Sequence, residues 1–516
     1  MRWLIPHGRA GMAWRFLLAA VVVIGASAGT TAVAGLLQVS SLVSDISINP
    51  GISSQQITLP AAGAPQTLLL IGSDHRAGEP FRTSNTDTML LVRLDTKSST
   101  INVMSIPRDL QVNIPGFGVA KINSAYTDGG YGLLIRTIKR NVFPDLRVNH
   151  IIDTNFSGFS DLVDAIGCVY SDVDRRYYNQ SQPAPSPDNY ASISIQPGYQ
   201  RLCGDDQSIH GALAFVRFRH ADTDIVRNAR QQDFIRWAKD QYPVGELFAN
   251  RGKLLRIFGE HSTLDQGLQS EDAILNLFDL VLNADGSTIQ QIRFPAQLQP
   301  CTQASCFVTA TPGAEQSAFQ RFMAPTPKTP AAAAKATPPS AKGDQHVATP
   351  STAGLTPDLA GGRSQAAQLA GAGMPVYFPR LIKNGSQYCL SLINNCVDNN
   401  EPPSAYAHSY PLGYRIHDQQ GVAHAAYRMT IVLNQTRGQY YGVQGVAWRD
   451  PPLLASPSGT RTIGGRRLLL YADGHRLTTV AWRDGPDTYW ISNTLTAAIP
   501  NTQMVAIAAS LVRARP

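Results

Sequence analysis

The chain is 516 residues long, too long for one ordinary core, so two folded domains with connecting segments are expected. Its 43% hydrophobic content is that of a globular protein, and charged residues, at 16%, are somewhat sparse. A formal charge of +7 favours acidic partners such as nucleic acid, anionic lipid or phosphorylated substrates, without choosing among them.

Residues 1–15 carry Arg2, Arg9 and Arg15, and no acidic residue occurs before Asp45. Phe16 to Leu37 follows without a charge, long enough to cross a bilayer as a helix of about 20 residues. The positive-inside bias puts 1–15 in the cytoplasm and makes 16–37 a single-pass, type II anchor in the cell membrane. A polar stem spans 38–65, and everything beyond it is extracytoplasmic. A cleaved signal peptide is the alternative, since Ala26-Ser27-Ala28 and Ala32-Val33-Ala34 resemble small-residue cleavage sites. An oxidising exterior makes disulfides the default for the six cysteines. Proximity along the chain pairs Cys168 with Cys203, Cys301 with Cys306, and Cys389 with Cys396, although other connectivities stay open.

Over 66–323, strands and helices alternate. Thr67 to Ile71, Thr88 to Leu94 and Thr100 to Ile106 are short apolar or β-branched runs bounded by polar turns, which predicts strands. Phe159, Leu162, Val163 and Ile166 recur at helical spacing behind Asn155 or Ser157 as cap. Leu213 to Phe218 reads as a strand again, and Val226 to Lys239 as a helix, so the span predicts an α/β layered domain. From 324 to 374 the composition turns to Ala, Pro, Thr, Gly and Ser, which reads as a linker. Over 375–516 a smaller α+β domain is expected. Its strands are Met429 to Leu433, Tyr440 to Trp448, Arg467 to Tyr471, Leu477 to Trp482 and Tyr489 to Ser492, followed by a helix carrying Met504, Ile507 and Leu511. The string Ala-Trp-Arg-Asp occurs twice, at 447–450 and 481–484.

Three groups of residues could carry chemistry. Asp74 directly follows one predicted strand and Asp87 directly precedes the next, so two carboxylates at one sheet edge could hold a hard divalent ion; ordinary turn aspartates are the bland reading. Arg108, in Ser-Ile-Pro-Arg-Asp at 105–109, would project at the same edge, where a guanidinium fork suits phosphate. In Val-Arg-Phe-Arg-His at 216–220, strand alternation puts Arg217 and Arg219 on one face, and Asp224, Arg227 and Gln231 then share one helix stripe, with Arg230 beside them. That set forms a polyanion cradle; a solvated or DNA-binding basic face is the alternative. No Gly-x-x-x-x-Gly-Lys-Ser/Thr loop, Gly-x-Ser-x-Gly elbow or His-Glu-x-x-His motif is present.

Leu-Leu-Ile-Gly-Ser-Asp (69–74), Thr-Asp-Thr-Met-Leu (86–90), Ser-Ile-Pro-Arg-Asp (105–109), Lys-Ile-Asn-Ser-Ala-Tyr (121–126), Asn-Phe-Ser-Gly-Phe (155–159) and Val-Arg-Phe-Arg-His with Arg-Asn-Ala-Arg-Gln (216–231) occur in one order. Together they closely resemble the LytR–CpsA–Psr family of cell-wall glycopolymer ligases. The resemblance implies a three-layer α/β/α domain with a mixed central sheet and a long hydrophobic pocket for a polyprenyl tail. It implies a Mg²⁺-dependent (or Mn²⁺-dependent) phosphotransferase that moves a glycopolymer from a polyprenyl-pyrophosphate carrier to a peptidoglycan hydroxyl, with no nucleic-acid partner. By the same resemblance, Asp74 and Asp87 look like the metal aspartates. Arg108, Arg217, Arg219, Arg227 and Gln231 look like the pyrophosphate set, with Asp224 supporting. Catalysis would rest on Asp74, Asp87, Arg108 and Arg219, and Asp74, Asp87 or Asp109 are the candidate bases. The family's usual arginine two residues before the second aspartate is Asn85 here, and Arg82 could reach in instead. Competing readings are a pyrophosphatase acting on the same carrier and a non-catalytic wall-binding or attenuator-type regulator.

Overall fold

A computed structural model describes residues 47–48, 57–58, 64–73, 86–95, 98, 100–179, 192–204, 210–218, 222–242, 253, 256–257, 261–268, 273, 277, 289–299, 307–324, 350–391, 396 and 403–514. The expected anchor at 16–37, most of the stem, and the Cys301–Cys306 pair lie outside these residues. No helix among the described residues is long and apolar enough to cross a membrane.

A seven-stranded mixed sheet organises the first domain. Its strands are β1 (Ser47–Ile48), β2 (Gln66–Ser73), β3 (Thr86–Asp95), β4 (Thr100–Ser105), β5 (His150–Asn155), β8 (Ser262–Leu264) and β9 (Ile289–Gln291), and between β5 and β8 the chain also forms the hairpin of β6 (Val169–Val173) and β7 (Gly198–Leu202). The sheet order is β1-β8-β5-β2-β3-β4-β9. Strands β2 and β5 run parallel, and β3 is antiparallel to both β2 and β4. The three predicted strands are thus present, the first two extended by one to two residues at each end and the third ending one residue early, at Ser105. Alternation along β2 and β3 explains the layers. Leu69, Ile71, Met89 and Leu91 face one side, where α1 (Ser124–Asn141) supplies Leu134 and Ile138 and α5 (Pro312–Met323) supplies Phe319 and Phe322. Leu68, Leu90 and Leu94 face the other, against Leu264, Leu268 and Ile235 of α4 (Asp224–Gln241). Helices on both faces of a mixed sheet make a three-layer α/β/α domain.

The helix α2 (Phe156–Ile166) begins where β5 ends, and Asn155 caps it by accepting the Gly158 N–H at 2.9 Å, as expected. One element differs. Residues 213–218 are not a strand: α3 (Ala212–Arg217) is a short helix. Residues 212–216 are all buried, so the run needs no polar face, and a brief apolar run fits helix and strand equally. The argument that two arginines share a strand face therefore fails for Arg217, which ends a helix instead.

The second domain starts earlier than its composition suggests. Within the expected linker of 324–374, β10 (Leu355–Pro357) pairs with β11 (Leu381–Lys383), and α6 (Leu359–Gln368) contributes Ala366 to the core. Small side chains suffice there because the helix packs closely on Phe378. The rest is an antiparallel eight-stranded sheet of β12 (Gln387–Tyr388), β13 (Leu412–His417), β14 (Ala423–Asn434), β15 (Gln439–Val446), β16 (Gly459–Ile463), β17 (Arg466–Asp473), β18 (Arg476–Asp484) and β19 (Asp487–Ser492). The helix α7 (Asn501–Ser510) covers one face of it. All five strands and the helix predicted after 429 are present.

The two domains share one core. Tyr170, Tyr199 and Phe215 pack with Ile416, Ala426, Val446 and Trp490. Buried at this contact, Asp172 of β6 accepts from Arg428 Nη1 at 2.7 Å and Trp490 Nε1 at 2.9 Å. Two disulfides, Cys168–Cys203 and Cys389–Cys396, match the expected pairs.

Candidate active site

Parallel strands bring their C-terminal ends to one edge, and in this sheet β2, β4 and β5 all end where β3 begins. Register pairs Ser73 with Thr86 and Gly72 with Thr88, so Asp87 is the extra residue of a β-bulge. Bulges mark places where a strand leaves the regular pleat, commonly beside functional sites. Asp74, immediately after β2, lies outside the described residues, as do Arg82, Asn85, Arg219, His220 and the side chains of Asp87 and Asp224.

The described members of the expected set gather at this edge. Gln231 on α4 donates through Nε2 to Thr88 Oγ1 at 2.9 Å and to the Val216 carbonyl at 3.2 Å, tying α3, α4 and the start of β3 together. Arg227 lies one turn earlier on the same helix stripe and is buried. Arg217 stacks its guanidinium 3.8 Å from the centroid of Phe156, the first residue of α2. Arg108 follows β4 and is nearly buried, while Asp109 forms an ion pair with Lys121 at 2.8 Å. That pairing leaves Asp109 a poor candidate base, because accepting a proton would break it.

Arg230 has a different job. It donates to the Phe215 and Phe218 carbonyls at 3.2 and 2.8 Å and to Tyr177 at 3.2 Å, and it forms an ion pair with Asp222, whose other oxygen takes Arg175 at 2.7 Å. The residues on either side of 219–221 are thereby fixed.

A network the residue patterns did not signal lies at the same edge. Buried Asp153 on β5 accepts three O–H bonds of 2.7 Å, from Ser73, Tyr126 and Tyr131. Residues five apart do not share a face of a regular helix. α1 kinks at Gly129–Gly130, where Gly130 takes φ 62°, and this lets both tyrosines reach one carboxylate. Burial first, then the Asp153 charge, pushes both phenols well above the usual tyrosine range, so they stay donors. Ser73 directly precedes Asp74, so the network pins the strand end on which the first candidate metal ligand follows. Asp153 and Tyr131 belong to none of the motifs, whereas Ser73 and Tyr126 do.

Two observations bear on a metal at this edge. Buried Thr86 Oγ1 and Gln231 Oε1 have no hydrogen-bond partner among the described residues, and an oxygen-rich edge suits a hard cation. The one cluster of three ligand-type residues among the described residues, Asp164 with Cys168 and Cys203, has both sulfurs in a disulfide.

The site thus lies on a mixed-sheet α/β/α domain, where strand ends meet arginines carried by two helices. A family model described as the LytR_cpsA_psr family matches residues 39–320, and the chain belongs to that family. It is 33% identical over 171 residues to the polyisoprenyl-teichoic acid–peptidoglycan teichoic acid transferase TagT of Bacillus subtilis, covering 33% of this chain and 50% of that protein. TagU of Halalkalibacterium halodurans is 30% identical over 247 residues, or 45% of this chain and 74% of that protein. The probable cell wall biosynthesis protein LcpB of Corynebacterium glutamicum is 32% identical over 226 residues, covering 41% and 50%. The chain thus spans about half the length of the first of these relatives. A solved structure of TagT bound to LI-WTA aligns over 54% of this chain and 97% of that one, at 22% identity and a TM-score of 0.39.

Proposed function

We propose that this chain is a membrane-anchored phosphotransferase that moves a glycopolymer from a polyprenyl-pyrophosphate carrier to a peptidoglycan hydroxyl. The reading is supported by Gln231 bonding Thr88 at the start of β3 and by Arg217 stacking on Phe156 just past β5, with Arg227 one turn from Gln231 on α4 and Arg108 just past β4. Names of family relatives as teichoic acid–peptidoglycan transferases support it. Segment 16–37 would hold the domain outside the membrane, and 325–349 would link it to the second domain.

In this reading the arginines bind the non-bridging oxygens of the pyrophosphate, and Gln231 ties the helix that carries Arg227 to Thr88 and to the Val216 carbonyl. Burial of Arg108 and Arg227 strengthens their contacts, because little water competes for the charge. The acceptor hydroxyl oxygen attacks the glycan-bearing phosphorus, the bond to the polyprenyl phosphate breaks, and the hydroxyl proton leaves to a base, for which Asp74 and Asp87 are candidates. Asp74 and Asp87 would hold Mg²⁺, which when bound neutralises charge on the departing phosphate.

The test is a single turnover on a lipid-linked glycan with and without peptidoglycan. Glycan joined to peptidoglycan through phosphate is expected. Free phosphorylated glycan in both arms would identify a pyrophosphatase instead, and no cleavage in either arm would leave only a regulator.

A further inference from the structure

Between β4 and α1 the chain makes a hairpin of Gln111–Ile114 and Gly118–Lys121, whose tip is apolar and exposed. Burial alternates along its first strand: Val112 and Ile114 join the core, whereas Gln111 and Asn113 are exposed. The tip breaks that rule. Phe117 is 58% exposed and Val119 65%, two of the five large apolar side chains exposed among the described residues. Gly116 and Gly118 both take φ 86°, a left-handed backbone that favours glycine, so the local sequence is suited to holding Phe117 at the apex. The hairpin is also braced. Asn141, the last residue of α1, accepts the Asn113 N–H at 3.0 Å and donates to the Asn113 carbonyl at 3.1 Å, and Leu110 at the base bridges to Val308. Apolar side chains grouped on a braced tip, rather than scattered singly, mark a contact surface.

Register places Val119 opposite Asn113, and Asn113 is clamped to the last turn of α1, which exposes Lys139 and Arg140. Cations therefore lie beside the apolar tip. From 129 to 147 the chain carries four bases, Arg136, Lys139, Arg140 and Arg147, against one acid, Asp145. The chain arriving from 16–37 passes this same end of the domain. Ile57 shares one core with Phe143, Leu146 and Val148, and the Thr58 N–H donates to the Val148 carbonyl at 2.8 Å. Two side chains cover far less than the roughly 800 Å² per partner of a stable protein interface. A bilayer surface needs no such area: it takes up small apolar groups at the acyl boundary, and anionic headgroups attract neighbouring lysine and arginine.

We infer that this hairpin tip contacts an anionic lipid surface, with Phe117 and Val119 entering the acyl boundary and Lys139 and Arg140 meeting the headgroups. The inference rests on the membrane-anchored part of the proposed function and not on transfer. The full chain is reconstituted into vesicles of phosphatidylglycerol and phosphatidylcholine with the photocrosslinker p-benzoylphenylalanine in place of Phe117, Val422 or Val22, and lipid adducts are counted by mass spectrometry. Val422, an exposed apolar residue of the second domain, gives the background, and Val22 reports the anchor. Adducts at 117 are expected several-fold above those at 422. Lys139→Gln with Arg140→Gln should cut them about fivefold or more, as loss of two charges near a headgroup does. All three tip-side positions are exposed, so the fold is not at risk. Adducts at 22 with only background at 117 overturn the tip contact and leave the anchor standing, whereas adducts at 117 alone keep the tip and overturn the anchor. Background at both positions overturns both. Adducts at 117 that persist undiminished in phosphatidylcholine alone, or after the two substitutions, overturn the role of the cations.

Discussion

The two sheets of this molecule place their polar chemistry differently. In the seven-stranded sheet, parallel strands return their C-terminal ends to one edge, and Asp153, Thr88, Gln231 and Arg217 collect there. In the eight-stranded sheet every pairing is antiparallel, so strand ends alternate between edges. Its arginines gather instead around the β18–β19 turn and the end of β15. Connectivity alone thus decides whether a sheet offers a shared rim or separate corners.

The largest effect should come from the link between the sheets. Asp172→Ala strips the acceptor from Arg428 and Trp490 and leaves a buried guanidinium unpaired, which costs about 3–5 kcal/mol. Urea unfolding measures it, and a loss below about 1 kcal/mol, the size of an exposed pair, would mean the sheets fold as separate units. Next, Arg227→Gln should lower transfer kcat about 100-fold, as loss of a preorganised charge does. Arg449→Gln, on the other sheet, should leave kcat alone; equal losses in the two variants would erase the contrast. Tyr131→Phe should then cost about 1–2 kcal/mol of stability by removing one donor to Asp153, and a neutral outcome in the urea midpoint would show that Tyr126 and Ser73 suffice.

The smallest effect concerns pH. Burial pushes the Asp233 carboxyl on α4 up to about 6, with Arg236 pulling it down and Asp473 of β17 adding to the rise. A raised folded value means the native state holds this proton where the unfolded chain has released it. Its contribution is full below the ordinary aspartate range and is lost as pH climbs through about 6. Asp233→Asn should therefore flatten the fall in stability over that window, read from urea midpoints at its two ends.

Much of this was legible from residue patterns. Strand grammar located β2, β3 and β4, and the Asn155 cap and helical spacing located α2. The segment before Arg217 fits strand and helix equally, because a short, wholly buried run has no periodicity to betray it. Composition predicts linker at 355–368, because small side chains hide a helix that needs only close contact. Asp153 escaped notice because its three partners come from elsewhere: Ser73 is 80 residues away, Tyr126 is 27 and Tyr131 is 22. No local pattern encodes that meeting.

The shared core has a consequence for how this protein can evolve or be trimmed. Cutting the chain before residue 350 would uncover Tyr170, Tyr199 and the Asp172 carboxylate at once, exchanging a dry seam for water. α4, whose Gln231 holds the rim, also sends Arg236 to Thr478 of the second sheet at 3.0 Å. A graft that swapped in a different tail would therefore disturb the helix whose Gln231 ties down the start of β3.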